Sequence, residues 1–456
     1  MGKELRRSAV KKILLVLALV YVFVRWFDVS SLDLYWRVGW NSSRNASNGI
    51  EVGMEESPSF PLKRLVRGRD RLELETTGIS CVSDPLTDVC VVKEKVKIDA
   101  QTTSVYLETS NHLPNQQHTV RPYARKTDSV CMDQVTQVTL LTSTDTSYLS
   151  CQVNHTVPAI VFSTGGFSTN LFHDINDIII PLYLTSRHFQ SQLKFVVTDF
   201  KPNWIFKYHQ ILTHLSAYDL IDSSKDGRVH CFPAAVVGLK YHGDLTCNAS
   251  DVPSGYSIFD FRHFLHDSFS LKTSSRTEGA LIEAQKPVLI LISRTNSRMI
   301  LNEDELIKMA KELGFQVTVA SPQRASNLER FSQEVHSCDV LVGAHGAGIA
   351  NMLFLPGGAV VVQVVPVGLD WPSTTYYGDP ARGLGINYLE YKITPNESSL
   401  SEKYPPNHPV FVDPDSIHLQ GYKVSRAVYI DGQNIRLDPL RFRETLLQAM
   451  DFVIRK

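Results

Sequence analysis

Segment 340–366, VLVGAHGAGIANMLFLPGGAVVVQVVP, constrains the fold of this chain more than any other stretch. Two apolar runs, 339–342 and 359–365, have the length and the β-branched composition of buried strands. Between them lie a glycine-rich turn and one short apolar helix, a spacing typical of parallel α/β structure. A strand, a glycine loop, a helix and a strand in this order also make a candidate nucleotide site.

The glycines of this turn, Gly343, Gly346 and Gly348, allow positive φ angles and let a ligand approach the backbone closely. The helix that follows points free N–H groups and its positive dipole end into the loop, which favours phosphate. His345 adds a donor that can reach a phosphate or a ribose. Because Asn351 stands where a dinucleotide fingerprint needs its third glycine, an NAD-dependent oxidoreductase is disfavoured. The other alternative is a tight turn that binds nothing.

A second polar segment, 293–298 with the sequence SRTNSR, follows the predicted strand Val288–Ile292. Arg294 and Arg298 carry planar guanidinium groups, which can bind the oxygens of a diphosphate bidentately without a metal. A solvated loop with surface arginines is the alternative. Since the carboxyl ends of parallel strands share one edge of a sheet, this loop and the His345 loop are predicted to open side by side.

The third polar segment, 163–177, reads STGGFSTNLFHDIND and passes from a predicted strand into a helix that begins near Thr169. Asp174 and Asp177 are three residues apart, so they can share one helix face with His173 nearby. Asp174, ahead of His173, is predicted to deprotonate an acceptor hydroxyl. The alternative is that His173 and Asp174 hydrogen-bond the loop and hold the cleft together.

Charge and metal-ligand patterns argue against two further classes of site. The formal net charge of −1 does not favour a nucleic-acid-binding surface along the chain. Asp413 and Asp415 could chelate a divalent cation on a sugar nucleotide, but the proline between them favours a turn and a helix start. None of the cysteine spacings is typical of a zinc site. A bound metal is therefore not expected.

The N-terminal sequence indicates the cellular compartment of the protein. A basic segment precedes the apolar run 13–24, ILLVLALVYVFV, and no small-residue cleavage site follows. Counted through residue 27, with Arg25 reaching the interface, this run can cross a thin membrane as an uncleaved signal anchor. The basic flank then stays cytosolic and the remainder is luminal. A cleaved secretory signal, the alternative, leads to the same lumen.

Sequons and cysteines agree with a luminal, oxidising compartment. Five Asn-x-Ser/Thr sequons are predicted to carry glycans, at Asn41, Asn45, Asn154, Asn248 and Asn396. Of the seven cysteines, six are candidates for disulfide pairing, namely Cys81, Cys90, Cys131, Cys151, Cys231 and Cys247. Cys338 ends a predicted buried helix and is expected to be the unpaired one.

Composition and periodicity divide the chain into segments. They are a cytosolic tail (1–12), a signal-anchor transmembrane segment (13–27), a flexible stem (28–75), a β-rich segment (76–157) and two α/β segments (158–286 and 287–456). Predicted strands lie at 159–162, 193–198, 288–292 and 316–320, and predicted helices at 171–184, 302–313, 327–338 and 439–453. Asn302 is the expected N-cap of its helix, and the last helix is expected to pack across both α/β halves. Two such series predict two Rossmann-like domains facing a cleft.

The three polar segments together resemble glycosyltransferase family 61. The resemblance rests on GGFSTNLFHDINDIIIPLYLTS, SRTNSR and VGAHGAGIANMLFLPGGAVVVQVVP, and it runs from about residue 158 to the C-terminus. It implies a GT-B-like fold, an inverting mechanism, a UDP-sugar donor and a single-pass type II Golgi membrane protein with a luminal catalytic domain. The form FHDINDIIIPLY resembles the plant xylan-modifying branch, which adds xylosyl or arabinofuranosyl side chains to the xylan backbone of cell walls. UDP-xylose or UDP-arabinofuranose and xylan are then the expected partners, with a homodimer or a synthase complex as the expected assembly.

With this resemblance, the polar segments acquire roles. Segment 158–286 is expected to form the acceptor side, and segment 287–456 the nucleotide-sugar side, with no metal cofactor. The residues expected to hold the nucleotide are Arg294, Arg298, His345, Gly346, Gly348 and Asn351. Asp174 or His173 is expected to be the base. Two other interpretations stay open: an N-glycan core β-1,2-xylosyltransferase or other glycoprotein glycosyltransferase, and a non-catalytic sugar-binding partner in a synthase complex.

Overall fold

The structure, a computed structural model, describes residues 59–108, 116–143, 149–250, 255–271 and 286–455. The predicted cytosolic tail and the predicted signal anchor lie outside these ranges, as do Asn41 and Asn45. Within the described ranges, none of the helices has the length and apolar character needed to cross a membrane.

The strands form three sheets. In chain order they are β1 (Ile79–Ser83), β2 (Asp88–Val92), β3 (Val96–Asp99), β4 (Ser104–Glu108), β5 (Gln117–Val120), β6 (Val138–Ser143), β7 (Val153–Asn154), β8 (Ala159–Ser163), β9 (Lys194–Thr198), β10 (Ile221–Asp222), β11 (Val229–Phe232), β12 (Ala235–Val237), β13 (Val288–Ile292), β14 (Gln316–Ala320), β15 (Val340–Ala344), β16 (Val360–Val365) and β17 (Asn387–Lys392). The first sheet has the order β1-β2-β12-β8-β9-β10, the second β5-β6-β4-β3-β11-β7 and the third β14-β13-β15-β16-β17.

The helices lie mainly on the faces of the first and third sheets. The α-helices are Ser59–Lys63, Gly68–Thr77, Ser129–Met132, Leu171–His173, Ile180–Ser186, Pro202–Lys207, His209–Leu215, Ile258–Ser268, Glu303–Glu312, Pro322–Ser326, Leu328–His336, Asp370–Ser373, Asp379–Gly383, Pro409–Val412, Pro414–His418, Tyr422–Ser425 and Pro439–Ile454. Asp174–Ile179, Thr374–Gly378 and Arg426–Ile430 are π-helical, and Arg187–Phe189, Ala347–Phe354, Pro395–Glu397 and Ser399–Glu402 are 3₁₀ turns.

The third sheet is parallel throughout and buried on both faces. Alternate residues of its apolar strands point to opposite sides, as the period of two requires. On one face they pack against helices Glu303–Glu312 and Pro439–Ile454. On the other face they pack against Leu328–His336 and Ala347–Phe354. Because all five strands run the same way, the loops that follow β13, β15 and β16 emerge at one edge.

The first sheet lies between the second sheet and the helical layer. Strands β12, β8, β9 and β10 are parallel, while β1 and β2 add an antiparallel edge. One apolar cluster joins strands of the first and second sheets, for example Val161 with Leu140. A larger cluster continues from the other face of the first sheet, including Phe162, to Ile290 and Leu353 of the third-sheet region. The two parallel arrays therefore share a continuous core.

Most predicted elements are confirmed, and three features differ. Part of the predicted flexible stem is helical, because Leu62, Val66 and Leu74 are buried in the core. The last helix packs against the third sheet alone in the apolar cluster it joins, rather than across both halves. Asn302 stands at the N-cap position, but its side chain bonds the backbone of Leu437 instead of capping the helix.

Candidate functional site

The arginine loop and the glycine loop meet at the carboxyl edge of the third sheet. The loop 293–298 follows β13 and the His345 loop follows β15, its direct neighbour. Gly346 has a φ of +150°, and a Cβ added there would lie 2.5 Å from Arg294 Nη1 and 3.4 Å from Arg298 Nη1. The guanidinium groups therefore rest against the Gly346 backbone, which confirms the predicted side-by-side placement.

Arg298 is buried without a counter-ion. Its side chain is 9% exposed, Nη1 donates to the His345 carbonyl at 2.9 Å, and Nε has no hydrogen-bond partner. Among the described residues, no carboxylate lies within 4.0 Å of the guanidinium of Arg298 or of Arg294. Burial lowers the pKa of Arg294, and burial together with repulsion from Arg294 lowers the pKa of Arg298 to about 10. Two neighbouring cations without anions form a pocket wall that favours a diphosphate.

His345 is held as a neutral donor beside this pair. Its Nδ1 lies 3.0 Å from Gln363 Nε2 and 3.1 Å from Ser373 Oγ. Gln363 Oε1 accepts a hydrogen bond from Tyr388, which fixes the amide so that Nε2 donates to His345. Burial and then the two arginines lower the pKa of His345 to about 3. The ring therefore accepts at Nδ1 and carries its proton on Nε2.

Asn351 lies one turn into the 3₁₀ helix after the glycine loop. It is 2% exposed, and Nδ2 donates to the Gly348 carbonyl at 2.8 Å. Its Oδ1 is buried with no hydrogen-bond partner. A buried acceptor of this kind has a free-energy cost of about 1–3 kcal/mol unless a ligand donor satisfies it. Asn351 thus has one atom that fits the predicted role in ligand binding.

His173 and Asp177 form a hydrogen-bonded pair on the first α/β segment. His173 Nδ1 lies 2.8 Å from Asp177 Oδ2, and the His173 side chain is 17% exposed while the Asp177 side chain is fully buried. Tyr123, Arg125 and Asn176 donate further hydrogen bonds to the Asp177 carboxylate. A carboxylate on Nδ1 orients the imidazole and leaves Nε2 as the proton acceptor.

Asp174 is enclosed by donors. Its carboxylate accepts hydrogen bonds from the Thr169 backbone N–H, Trp204 Nε1, Lys207 Nζ and the Tyr208 hydroxyl, at 2.8–3.2 Å. Its exposure is 0%. A carboxylate with both oxygens occupied cannot also take a proton from an acceptor hydroxyl without losing these bonds. The geometry therefore fits the alternative interpretation, in which Asp174 holds the loop, and it places His173 ahead of Asp174.

One segment, Asp370–Gly378, connects the two sets of residues; we call it the bridging helix. Ser373 bonds His345, and the ring of Tyr377 lies 5.4 Å from that of His345 and 5.7 Å from that of Phe172. Tyr376 also packs on Phe172, at 5.1 Å between ring centroids. Since Phe172 is next to His173 in the chain, the third polar segment faces the same cleft as the other two.

The sequence patterns did not identify several residues of this cleft. Burial raises the pKa of the Asp244 carboxyl, which lies near Tyr241, Arg125 and His173. Arg125 Nη1 lies 3.2 Å from Asp177 Oδ1, and Arg125 interacts electrostatically with Tyr376. No local motif marks these residues, because they reach the cleft only through tertiary packing. For Asp244, the only sequence signal was its position in the polar loop that follows β12, since polar loops at the carboxyl ends of parallel strands often form sites.

The structure also describes three of the predicted glycosylation sites, the cysteines and Asp413. Asn154, Asn248 and Asn396 are exposed, as glycan acceptors must be, and their glycosylation stays a prediction. Disulfides join Cys81 to Cys90 and Cys151 to Cys231. Cys338 is free, as predicted, but Cys131 and Cys247 are free and buried as well, so they are not the disulfide candidates that the sequence indicated. Asp413 caps the helix Pro414–His418, in agreement with a turn and helix start.

Comparison with known proteins identifies the family. A family model described as Glycosyltransferase 61 matches residues 171–362, which include the SRTNSR loop and the glycine loop and begin within the third polar segment. Xylan glycosyltransferase MUCI21 of Arabidopsis thaliana is 38% identical over 432 residues, covering 91% of this chain and 85% of the relative. The chain belongs to glycosyltransferase family 61.

Two further relatives are also plant enzymes. Alpha-1,3-arabinosyltransferase XAT3 of Oryza sativa subsp. japonica is 40% identical, covering 81% of this chain and 65% of the relative. Beta-1,2-xylosyltransferase XYXT1 of the same organism is 36% identical, covering 80% of this chain and 82% of the relative. The bacterial glycosyltransferase TibC aligns with 82% of this chain and 96% of its own, but at 11% identity and a TM-score of 0.31, too low to support an argument. The resemblance to the plant xylan-modifying branch of family 61 is confirmed, and the chain is a glycosyltransferase.

Proposed function

We propose that this family 61 member is an inverting pentosyltransferase that moves xylose or arabinofuranose from a UDP-sugar to the xylan backbone. The names of its plant relatives support the sugar and the acceptor. The observation that carries the proposal is the pair formed by the buried Arg298 and the half-buried Arg294, which have no counter-ion among the described residues and lie against the Gly346 backbone beside a neutral histidine.

On the donor side, Arg294 and Arg298 clamp the diphosphate. Both guanidinium groups stay protonated at neutral pH, since the lowered pKa of Arg298 is still about 10. They offset the charge that develops on the UDP leaving group, in place of a divalent metal. His345 donates Nε2–H to a phosphate oxygen or the ribose, and the unpaired Asn351 Oδ1 accepts from a ligand hydroxyl.

On the acceptor side, His173 acts as the general base. Asp177 holds Nδ1, so Nε2 takes the proton of the acceptor hydroxyl. The hydroxyl oxygen forms its bond to the anomeric carbon from the face opposite UDP, while the bond from that carbon to the phosphate oxygen breaks. The electron pair leaves with UDP, and the configuration inverts. Asp174 positions the loop that carries His173 and does not touch the substrate.

The setting of this reaction is part of the proposal. The two parallel arrays act as the Rossmann-like halves of a GT-B fold, with the acceptor on the first and the nucleotide on the third sheet. The N-terminal apolar run anchors the chain in the Golgi membrane with the catalytic part in the lumen. Five sequons and two disulfides support an oxidising, glycosylating compartment.

The test is transfer by the purified chain. It is incubated with xylohexaose, or in parallel with a glycoprotein acceptor, and with a panel of UDP-pentoses and UDP-hexoses, in the presence and absence of EDTA. The product masses are measured by mass spectrometry. The expected result is a pentose mass increment that survives EDTA. Because xylose and arabinose have equal mass, linkage analysis then assigns the sugar. Transfer only to a glycoprotein acceptor would move the chain to the glycoprotein-modifying alternative, and the absence of transfer or UDP-sugar hydrolysis with every donor would make it a non-catalytic partner.

A further inference from the structure

The bridging helix carries a large aromatic side chain that the donor and base chemistry does not use. Trp371 is 68% exposed, although burying such a ring is normally strongly favourable. It stands at the start of the helix, two residues before Ser373, whose hydroxyl bonds His345. An exposed tryptophan on an element of the cleft is a candidate ligand-binding surface.

Aromatic rings form a continuous line from Trp371 to the base. The ring centroid of Trp371 lies 5.7 Å from that of Tyr376, Tyr376 lies 5.1 Å from Phe172, and Phe172 lies 5.3 Å from His173. Three steps of this size separate the solvent edge of the cleft from the group that we assign as the base. Tyr422, which is 60% exposed, lies close enough to Tyr376 to contribute to the raised pKa of its hydroxyl.

The two faces of the bridging helix serve different groups. Tyr377 turns toward His345 and interacts electrostatically with Arg298 and Arg294. Tyr376 turns toward Phe172 and interacts electrostatically with Arg125, which in turn pairs with Asp177. The ring of Trp371 packs on Tyr376, the tyrosine of this helix that contacts Phe172 and not His345. A nucleoside would need to lie on the phosphate-binding side.

We propose that Trp371, Tyr376 and Tyr422 form a stacking platform for the distal units of the acceptor chain. This inference rests on the proposed function and adds the place at which the polysaccharide acceptor leaves the cleft. A chain of pentopyranose units presents C–H faces that stack on aromatic rings, and a polymer must continue beyond the reacting unit into solvent. The line of aromatic rings provides the apolar contact for the sugar units and leads from the base to solvent. The unit that reacts lies at His173, and units further along the chain lie on Tyr376 and Trp371.

The test compares Trp371→Ala, Trp371→Phe and the control Phe452→Ala, which removes an exposed aromatic ring from the last helix. Binding of xylohexaose and of UDP is measured by calorimetry, and KM is measured for xylohexaose, xylobiose and the UDP-sugar. We expect Trp371→Ala to weaken xylohexaose binding and raise its KM about tenfold, because one stacked ring is lost. The KM for xylobiose should change much less, since a short acceptor does not reach Trp371. Trp371→Phe should recover most of the loss, and Phe452→Ala should behave as the parent chain.

The alternatives give different results. If Trp371→Ala weakens UDP as much as xylohexaose, the ring holds the nucleoside and the platform is wrong. If neither affinity changes, or if the parent chain does not bind xylohexaose, the platform is also wrong. Because acceptor binding is measured without turnover, the experiment tests the stacking platform independently of the proposed function. A parent chain that binds xylohexaose through Trp371 but transfers no pentose contradicts the proposed function and keeps the platform.

Discussion

At the scale of single residues, Arg298 is the most constrained position of the site. It is buried, has a φ of +54°, and its backbone N–H donates to Gln433 at 2.7 Å. A non-glycine residue in the left-handed region costs about 1–3 kcal/mol and persists only where surrounding contacts enforce it. A buried cation without a counter-ion among the described residues adds a further cost in free energy. Both features point to a position held for ligand binding rather than for stability.

We therefore predict that Arg298→Met lowers activity strongly and leaves stability almost unchanged. Loss of the guanidinium should lower kcat/KM for the UDP-sugar by about 10²–10³ and weaken UDP binding, because a charged donor to the leaving group is lost. The free energy of unfolding, measured in urea, should change by less than about 1 kcal/mol, since the buried charge is removed while the apolar stem stays. Arg330→Met, on an exposed helix surface, is the control. Unchanged turnover and UDP affinity would rule out the clamp.

The adjacent residues His173 and Asp174 should separate catalysis from positioning. His173→Gln should lower kcat by about 10²–10⁴ with little change in donor KM, because the proton acceptor is removed. Asp174→Asn should reduce the free energy of unfolding by roughly 3 kcal/mol, since it breaks a buried ion pair with Lys207. The kcat of the folded Asp174→Asn protein should stay within about threefold. Steady-state kinetics and urea unfolding on both variants provide the comparison, and a well-folded but inactive Asp174→Asn would return the base to Asp174.

At the scale of elements, the close approach of the arginine loop to the glycine loop requires a glycine at position 346. Gly346→Ala should weaken UDP binding by about tenfold or more, because the new methyl carbon would lie 2.5 Å from Arg294 Nη1 and the φ of +150° is unfavourable for alanine. Gly357→Ala is the matched control, since no atom lies within 4 Å of its added Cβ and its φ is ordinary. Calorimetric titration with UDP tests the pair. Equal affinities would mean that the arginines move freely and that the close approach has no role.

Three π-helical turns border the site, and none was predictable. Asp174–Ile179 carries the loop-holding carboxylate, Thr374–Gly378 carries the two tyrosines, and Arg426–Ile430 precedes Gln433, which holds the Arg298 backbone. Such turns are rare and concentrate at functional sites. In the sequence, the run 171–184 reads as a regular helix, because one extra residue in a turn barely disturbs an apolar period.

The sequence predicted the elements whose signal is local. Strands Val288–Ile292 and Gln316–Ala320 agree residue for residue, because a parallel strand buried on both faces reads as one apolar run. The meeting of the arginine and glycine loops followed from strand direction alone. The role of the bridging helix was not predicted, because it depends on contacts of Tyr376 and Tyr377 with Phe172, which is distant in the sequence. The enclosure of Asp174 was missed for the same reason, since three of its donors come from a later helical segment.

At the scale of the whole molecule, one buried and three half-buried histidines link stability to pH. Burial, with nearby cations, lowers the pKa to about 4 for His155, His242 and His266 and to about 3 for His345. In the unfolded chain these groups have a pKa near 6.5. Between these values the unfolded state binds more protons than the folded state. Stability is therefore fully present above about pH 6.5 and falls as the pH decreases toward 4.

We predict that unfolding at pH 5.5 takes up roughly three protons from these histidines, so the free energy of unfolding rises steeply from pH 5.5 to pH 7. Urea unfolding across this window measures the slope, and most carboxyl groups titrate below it. His266→Gln should reduce the slope by about one proton. His263→Gln is the matched control, because His263 lies exposed on the same helix, Ile258–Ser268, where water solvates it in both states. A slope that is the same in both variants would mean that His266 gains its proton without unfolding, and that its burial against the Leu353 carbonyl does not exclude the charged form.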